Sequence, residues 1–171
     1  PFQLTLGGGV ELVQPASHRI AAAETYMGLV EVGVGLIPGG GGNLRMILNA
    51  MEGGTGRMGA FQKIQKTFET VGFAKIATSA DEAKHLGYLK KDDTIILNRD
   101  YLIQAAKDKA IELAQSYTPP AYKDDLKLPG AGGRTAMAMA LKGFKMQGKI
   151  SDHDQKIGEK LAYVLTGGDK A

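Results

Sequence analysis

The sequence predicts an α/β fold in which short strands alternate with helices. Two observations indicate it: a strand, a glycine turn and a helix follow one another twice within the first fifty residues, and apolar residues recur at helical spacing later in the chain. The 171 residues, of which 43% are hydrophobic and 23% charged, correspond to about one globular domain. We therefore expect helices and strands layered around one core.

The two repeats occupy the first fifty residues. In the first, residues 2–6 alternate with the period of a strand, Gly7–Gly9 makes a turn, and residues 10–16 form a short helix. The second repeat has the same order with longer parts: an extended segment over 18–26, an apolar run over 27–37, a glycine turn over 38–42 and a helix over 43–51.

The rest of the chain is mainly helical. One buried-type strand is predicted over residues 93–98, between helices over 59–76, 80–87, 101–117, 134–148 and 153–165. Ser79 and Asp100 are predicted N-caps, and Gly87 is a predicted C-cap. Because Thr118–Pro120 stops a helix, we divide the chain into a core over 1–117, a linker over 118–133 and a C-terminal helical segment over 134–171.

Composition excludes several classes of site. The chain has no cysteine, which removes disulfides, thiol catalysis and thiolate metal ligands. Its net charge of +3 comes from lysines interleaved with acidic residues, which argues against nucleic-acid binding. No apolar run reaches the roughly 18 residues of a membrane span. We expect a cytoplasmic protein without a membrane span.

Glu11 and Glu31 lie in unusually apolar surroundings, each near a glycine run and flanked by valines. Taken singly, each has an ordinary explanation. A glutamate in the first turn of a helix is stabilised by the helix dipole by ~0.3–1 kcal/mol. A glutamate among valines commonly lies on the exposed face of a strand.

Together with the glycine turn, the two carboxylates predict an acid–base site. Gly8 leads into a helix N-terminus, where backbone N–H groups are unpaired, and the lack of a Cβ lets a carbonyl oxygen approach closely. Such a donor can stabilise a developing oxyanion. Two carboxylates beside it could share a water, one taking its proton and the other protonating a neighbouring carbon. Burial among valines predicts carboxyl pKa values raised towards neutrality.

The run LGGGVELV…RIAAAETYMGLVEVGVGLIPGGGGNLRMI resembles the central signature of the crotonase (enoyl-CoA hydratase/isomerase) family, roughly GGG-x-E-L, F-G-x-P-E and G-x-x-P-G-x-G-G-T-x-R-L. The alignment needs no gap between Gly7 and Arg45, and SADEAKHLGYL resembles the next family helix. The later segments look most like the hydratase domain that follows the dehydrogenase domains of some bacterial 3-hydroxyacyl-CoA dehydrogenases. The resemblance implies the second half of a crotonase-like spiral of ββα units with trailing C-terminal helices.

The resemblance also implies roles for four residues. The Gly8 N–H is one of two oxyanion donors to a thioester carbonyl, Glu11 is the base and Glu31 the acid, and Gly39 opens a helix near the acyl-thioester site. The implied activity is hydration of 2-enoyl-CoA thioesters in fatty-acid β-oxidation. No cofactor is implied beyond the CoA thioester substrate, and NAD is implied for a separate domain of the parent protein.

Some features depart from the family pattern. Val30 replaces the proline before the second glutamate, and Asn43 replaces a threonine. The chain opens at Pro1 without an initiator methionine and ends soon after an apolar helix, so we expect a domain truncated at both ends. The half that supplies the other oxyanion donor is then missing. We expect an inactive fragment unless that half, or further copies in a homo-oligomer, complete the site.

Two other functions stay open. The late helices carry apolar residues at helical spacing, as a non-catalytic assembly or acyl-CoA-binding module would, namely Leu141, Phe144, Leu161 and Val164. A different crotonase-type reaction, such as isomerisation, thioester hydrolysis or decarboxylation, would use the same oxyanion donor. The presence of both glutamates favours the hydratase over the isomerase.

The remaining candidate sites have ordinary explanations, and no metal site is predicted. Ser151–Asp154 reads as a capped helix start rather than a metal cluster. His85 follows Asp81 by one helical turn, as in a surface pair, and His18 is a predicted surface residue. The glycine runs lack the residues of phosphate and dinucleotide motifs. The lysines at 84, 90 and 91 form a solvated surface or, alternatively, bind a CoA phosphate.

Overall fold

The computed structural model describes residues 1–52, 59–121, 123 and 125–169, and in them the predicted alternation of strands and helices is present. Four short strands are found there: β1 (Leu4–Leu6), β2 (Ile20–Ala22), β3 (Tyr26–Gly28) and β4 (Thr94–Ile96). Seven α-helices accompany them: α1 (Gly8–Val13), α2 (Gly42–Glu52), α3 (Ala60–Gly72), α4 (Ala80–Leu86), α5 (Leu102–Ala114), α6 (Gly130–Met146) and α7 (Asp152–Leu165). The α/β class is confirmed.

The strands form two parallel pairs. β1 pairs with β3, with Leu4 opposite Tyr26, and β2 pairs with β4, with Ile20 opposite Thr94. Since parallel neighbours need a crossover, the chain leaves β1 through α1 before it returns in β3. This crossover brings the start of α1 next to the end of β3.

The core lies where the strands meet α2, α3, α6 and α7. Gly158 of α7 has no Cβ, and one added there would lie 2.7 Å from Leu141 Cδ2, so the glycine permits the close approach of α6 and α7. The largest fully buried side chains include Val10, Met27, Leu29, Met46, Ile64, Val71, Tyr88, Leu89, Leu161 and Leu165.

Several predicted caps are confirmed. The Ser79 hydroxyl accepts the Glu82 N–H at the start of α4, and Gly87 ends that helix in the left-handed conformation at φ 87°. Ser151 and Asp154 form the capping box of α7. The predicted cap Asp100 is wrong: Asn98 accepts the Asp100 N–H, because a 3₁₀ turn over Arg99–Tyr101 precedes α5.

Other boundaries also differ from the prediction. The extended segment over 18–26 is two strands joined by a turn, and the apolar run after Gly28 is not a strand but contains a 3₁₀ turn over Glu31–Val34. Helix α6 begins at Gly130 rather than at 134, because Gly133 fits against the Pro129 ring, where a Cβ would lie 2.7 Å from Pro129 Cβ. The division of the chain into core, linker and C-terminal segment stays a prediction.

The residues of the predicted assembly face do not form one exposed surface. Leu141 and Leu161 are buried in the core of this chain, whereas Val164 is largely exposed. Among the residues that the structure describes, no helix combines the length and apolar character needed to cross a membrane.

Candidate active site

The glycine turn places a free backbone donor at the start of α1. Gly7 adopts a left-handed conformation at φ 54°, which favours glycine, and its N–H donates to the Gly28 carbonyl at 2.8 Å. The Val10 N–H donates to the Gly7 carbonyl at 2.9 Å. Within the described residues no group accepts the Gly8 N–H, and a Cβ at Gly8 would meet nothing within 4 Å. This amide is therefore open to an acceptor from outside.

Helix α1 also carries Glu11, whose carboxylate reaches the second glycine turn. Its Oε1 accepts the N–H groups of Gly40 and Gly42, each at 2.8 Å, at the start of α2. A Cβ on Gly40 would collide with the Glu11 carboxylate, and one on Gly42 would lie 3.0 Å from Oε1. The predicted glycine turn therefore admits and binds this carboxylate, and the helix N-terminus stabilises its charge.

Glu31 is held differently, as the first residue of the 3₁₀ turn after β3. Its Oε2 is buried and, within the described residues, has no hydrogen-bond partner. Burial raises the pKa of the Glu31 carboxyl, backbone N–H groups of Glu31 and Val30 partly oppose this, and the negative charge of Glu11 raises it further. The raised pKa predicted from the sequence is confirmed for Glu31.

The two carboxylates and the free amide lie close together. A Cβ on Gly7 would lie 3.5 Å from Glu31 Oε1, so Glu31 borders the turn that carries the Gly8 N–H. Glu11 lies one helical turn after Gly8, near enough for its negative charge to raise the pKa of Glu31. A carboxylate that accepts two backbone N–H groups thus stands beside a carboxyl group whose pKa is raised, which is an arrangement suited to acid–base chemistry.

Gly39 lies at the edge of this site, immediately before Gly40. It is exposed, and a Cβ there would meet nothing within 4 Å. Asn43 Nδ2 donates to the Pro38 carbonyl at 2.8 Å and so fixes the turn from inside, while Asn43 Oδ1 is buried without a partner among the described residues. The structure brings Gly8, Glu11, Glu31 and Gly39 into one neighbourhood, and their roles stay predictions.

Sequence reasoning missed Tyr88, which contacts Leu29, two positions before Glu31. The Tyr88 side chain is fully buried, and its hydroxyl donates to the Lys75 carbonyl at 2.6 Å and accepts the Leu29 N–H at 3.4 Å. Burial raises the pKa of Tyr88 to about 12. No sequence pattern could have found it, because its partners are two backbone groups brought together only by the fold.

The other titratable candidates play structural parts. His85 lies 3.6 Å from Asp81 as an exposed pair, as predicted. His18, predicted as a surface residue, is half-buried, and its ring contacts Thr94 Oγ1 at 2.9 Å. Lys84 donates to the backbone carbonyls of Lys91 and Asp93, and Lys90 pairs with Glu52 at 2.7 Å.

Comparison with known protein families identifies the chain. The family model described as enoyl-CoA hydratase/isomerase matches residues 4–128. Over 98% of its length the chain is 46% identical to a probable 3-hydroxyacyl-CoA dehydrogenase of Bacillus subtilis (strain 168), of which it covers 21%. It is also 33% identical over 116 residues to the human mitochondrial methylglutaconyl-CoA hydratase, with 68% of this chain and 29% of that protein covered. The chain therefore spans between about a fifth and a third of these relatives.

Solved structures of similar fold are about twice as long as this chain. A Thermobifida fusca YX protein crystallised in complex with acetoacetyl-CoA superposes with a TM-score of 0.52 at 16% identity, covering 95% of this chain and 51% of that one. An enoyl-CoA hydratase/isomerase of Cupriavidus metallidurans CH34 has a TM-score of 0.50 at 16% identity, with 95% and 49% covered. At such identities the likeness concerns the fold, and it confirms the predicted crotonase-like α/β architecture with trailing C-terminal helices.

Proposed function

Because the chain belongs to the enoyl-CoA hydratase/isomerase family, we propose that its Glu11–Glu31 site adds water across the double bond of 2-enoyl-CoA thioesters. The observation that carries this proposal is the pairing of unlike carboxylates. Glu11 accepts two backbone N–H groups, whereas Glu31 has a raised pKa and a buried oxygen without a hydrogen-bond partner in the described part of the chain. A hydration needs one base and one acid, and these two environments supply them.

In the proposed reaction the Gly8 N–H donates to the thioester carbonyl oxygen and stabilises the negative charge that develops there. Glu11 takes a proton from a water, whose oxygen attacks C3 of the enoyl group. Glu31 gives its proton to C2. Transfer of the proton from Glu11 to Glu31 restores the starting state, so that one water is consumed for each thioester.

The substrate class follows from the relatives rather than from a bound ligand. One protein of similar fold binds acetoacetyl-CoA and another relative is called methylglutaconyl-CoA hydratase, which supports a CoA thioester as substrate here. The identity with a 3-hydroxyacyl-CoA dehydrogenase supports a parent protein that also oxidises the hydration product in fatty-acid β-oxidation, with NAD bound in another domain. A cytoplasmic location stays a prediction.

Completion of the site from outside this chain is part of the proposal. Leu4 and Leu12 on β1 and α1 are 72% and 84% exposed. Two open surface pockets of about 890 Å³ and 590 Å³ border α1, and Val13 lines both of them. Such apolar surface beside the Gly8 turn supports contact with a further segment or a second copy that supplies the other oxyanion donor.

The test is the hydration of crotonyl-CoA by the full-length parent protein, with Glu11→Gln and Glu31→Gln measured separately. Each variant should lower kcat by about 10²–10⁴-fold, the usual contribution of a positioned acid or base. Glu159→Gln, on an exposed position of α7, is the matched control and should leave the rate unchanged. Wild-type rates in both site variants would eliminate the proposed mechanism.

A second candidate is an acyl-CoA-binding module without catalysis, which the exposed apolar side chains of Leu4 and Leu12 favour. Titration of a CoA thioester against this chain distinguishes the two. Binding without turnover, even in the full-length parent, would establish the module, whereas turnover that depends on both glutamates would establish the hydratase.

A further inference from the structure

Strand β3 has a second neighbour, the segment Lys75–Ala77, on the side away from β1. Met27 and Ala77 exchange both of their backbone hydrogen bonds, at 3.0 and 2.8 Å, in antiparallel orientation. In an antiparallel ladder the next such pair lies two residues further along one segment and two residues back along the other. Here that pair would be Leu29 and Lys75.

The expected pair is not made, because the Tyr88 hydroxyl lies between its two members. The hydroxyl accepts the Leu29 N–H at 3.4 Å and donates to the Lys75 carbonyl at 2.6 Å. The Lys75 N–H turns away and donates to the Thr70 carbonyl at 3.0 Å. The hydroxyl thus satisfies both ladder groups while it holds the two segments apart.

The surrounding structure fixes the Tyr88 side chain in this position. Tyr88 directly follows the left-handed Gly87 that ends α4, and its N–H donates to the Ala83 carbonyl at 2.9 Å. Gly28 lets Lys75–Ala77 come close, since a Cβ there would lie 3.0 Å from the Lys75 carbonyl oxygen. Strand β3 and the segment Lys75–Ala77 are therefore close together at Gly28 and further apart one residue later, where the chain leaves the strand for the 3₁₀ turn.

Glu31 is the first residue of that turn, two positions after Leu29. We propose that Tyr88 is a positioning residue, whose hydroxyl ends the ladder at Leu29 and so directs Glu31 towards Glu11 and the Gly7 turn. Without the hydroxyl, Leu29 and Lys75 can pair directly, which carries the strand further and rotates Glu31 away from its present environment. The consequence for catalysis rests on the proposed hydratase function, but the consequence for Glu31 itself does not.

The experiment follows the titration of Glu31 by carboxyl ¹³C NMR in this chain, assigned with Glu31→Gln, in the wild type and in Tyr88→Phe. In Tyr88→Phe the Glu31 midpoint should shift to lower pH, because a displaced carboxyl group is better solvated. Thr67→Val is the matched control, since it removes a buried hydroxyl that donates to the Lys63 carbonyl in α3, far along the chain from Glu31. It should leave the Glu31 midpoint where it is. An unchanged midpoint in folded Tyr88→Phe would overturn the proposal.

In the full-length parent, Tyr88→Phe should lower kcat for crotonyl-CoA by about 10–10²-fold with little change in KM, as expected for a misplaced catalytic group. If the wild type shows no hydration while the Glu31 midpoint still shifts, the hydratase function fails and the positioning role stands.

Should Tyr88→Phe not fold, 3-fluorotyrosine in the wild-type chain provides a second measurement. The ¹⁹F resonance of Tyr88 should then move with pH as Glu31 titrates and stop moving in Glu31→Gln. A resonance that does not respond to the titration of Glu31 would show that Tyr88 lies too far from Glu31 to position it, and would overturn the proposal.

Discussion

Glu11 and Glu31 are the same residue type in the same site, yet their carboxyl groups lie in opposite environments. Glu11 reaches the N-terminus of α2, where two N–H groups and the helix dipole stabilise the ionised carboxylate. Glu31 has a buried oxygen that finds no hydrogen-bond partner among the residues described, and burial raises the pKa of the Glu31 carboxyl group. In the proposed mechanism, this difference in backbone surroundings distinguishes Glu11 as the base from Glu31 as the acid.

The largest expected effect on hydration is that of Gly40→Ala, which changes the environment of Glu11. A Cβ at Gly40 collides with the Glu11 carboxylate, which is the end of a flexible side chain and so will move rather than unfold the turn. We expect crotonyl-CoA hydration by the full-length parent to fall about 10²-fold, since the base loses its position. The free energy of unfolding should fall by about 1–2 kcal/mol, because the displaced carboxylate no longer accepts the Gly40 and Gly42 N–H groups.

The matched control is Gly132→Ala in the first turn of α6, where a Cβ meets nothing within 4 Å. It should keep the hydration rate and stabilise the chain by up to about 1 kcal/mol through helix propensity. Equal rates in the two alanine variants would show that the position of Glu11 does not matter for hydration.

Glu11→Ala should show the next largest effect, on stability. The change removes a charged acceptor from the Gly40 and Gly42 N–H groups, and because the side chain is only half-buried, water replaces part of what is lost. We expect urea unfolding of this chain to show a loss of about 1–2 kcal/mol. Glu24→Ala, on an exposed turn, should stay within about 0.5 kcal/mol of the wild type. A loss equal to that of Glu24→Ala would mean that the two hydrogen bonds add nothing.

The sequence predicts the environment of Glu11 better than the environment of Glu31. The Glu11 environment is local in pattern: glycines precede one helix and open another, and glycine is the residue that admits a carboxylate against backbone N–H groups. The α/β alternation and the caps at Ser79, Gly87 and Ser151 are likewise readable from neighbouring residues.

The Glu31 environment depends on contacts that no local pattern contains. Residues after Gly28 are rich in valine, which favours a strand, but the chain turns into a 3₁₀ turn because Tyr88, nearly sixty positions away, meets Leu29. The early start of α6 has a similar cause, since Gly133, in a glycine-rich stretch that suggests a linker, packs against Pro129. Tertiary contacts override local propensity at these places.

Of the changes at the two site glutamates, Glu31→Gln should have the smallest effect on stability. It should stabilise the chain, whereas Glu11→Ala should destabilise it. A carboxyl group with a raised pKa binds its proton more tightly in the folded chain than in the unfolded one, so folding opposes its ionisation. Glu31→Gln should therefore stabilise the chain at neutral pH, by less than about 1 kcal/mol because Glu31 is only partly buried. The gain should shrink as pH falls through the raised pKa and vanish below the ordinary value of 4.5.

Glu52 provides the opposite pH dependence within the same chain. Hydrogen bonds from Lys123 and Lys90 hold the pKa of its carboxyl at about 2, so its contribution is present above the ordinary value of 4.5 and is lost as pH falls towards 2. Glu52→Gln should destabilise the chain near pH 6 by about 0.2–1 kcal/mol, since this ion pair is largely solvated, and should have no effect near pH 2. Urea unfolding between about pH 3 and pH 7 gives the free energy of unfolding of each Gln variant relative to the wild type. Plotted against pH, this difference should have opposite slopes for the two variants. Parallel curves would show that Glu31 is not destabilised by burial, and the acid in the proposed pair would lose its physical basis.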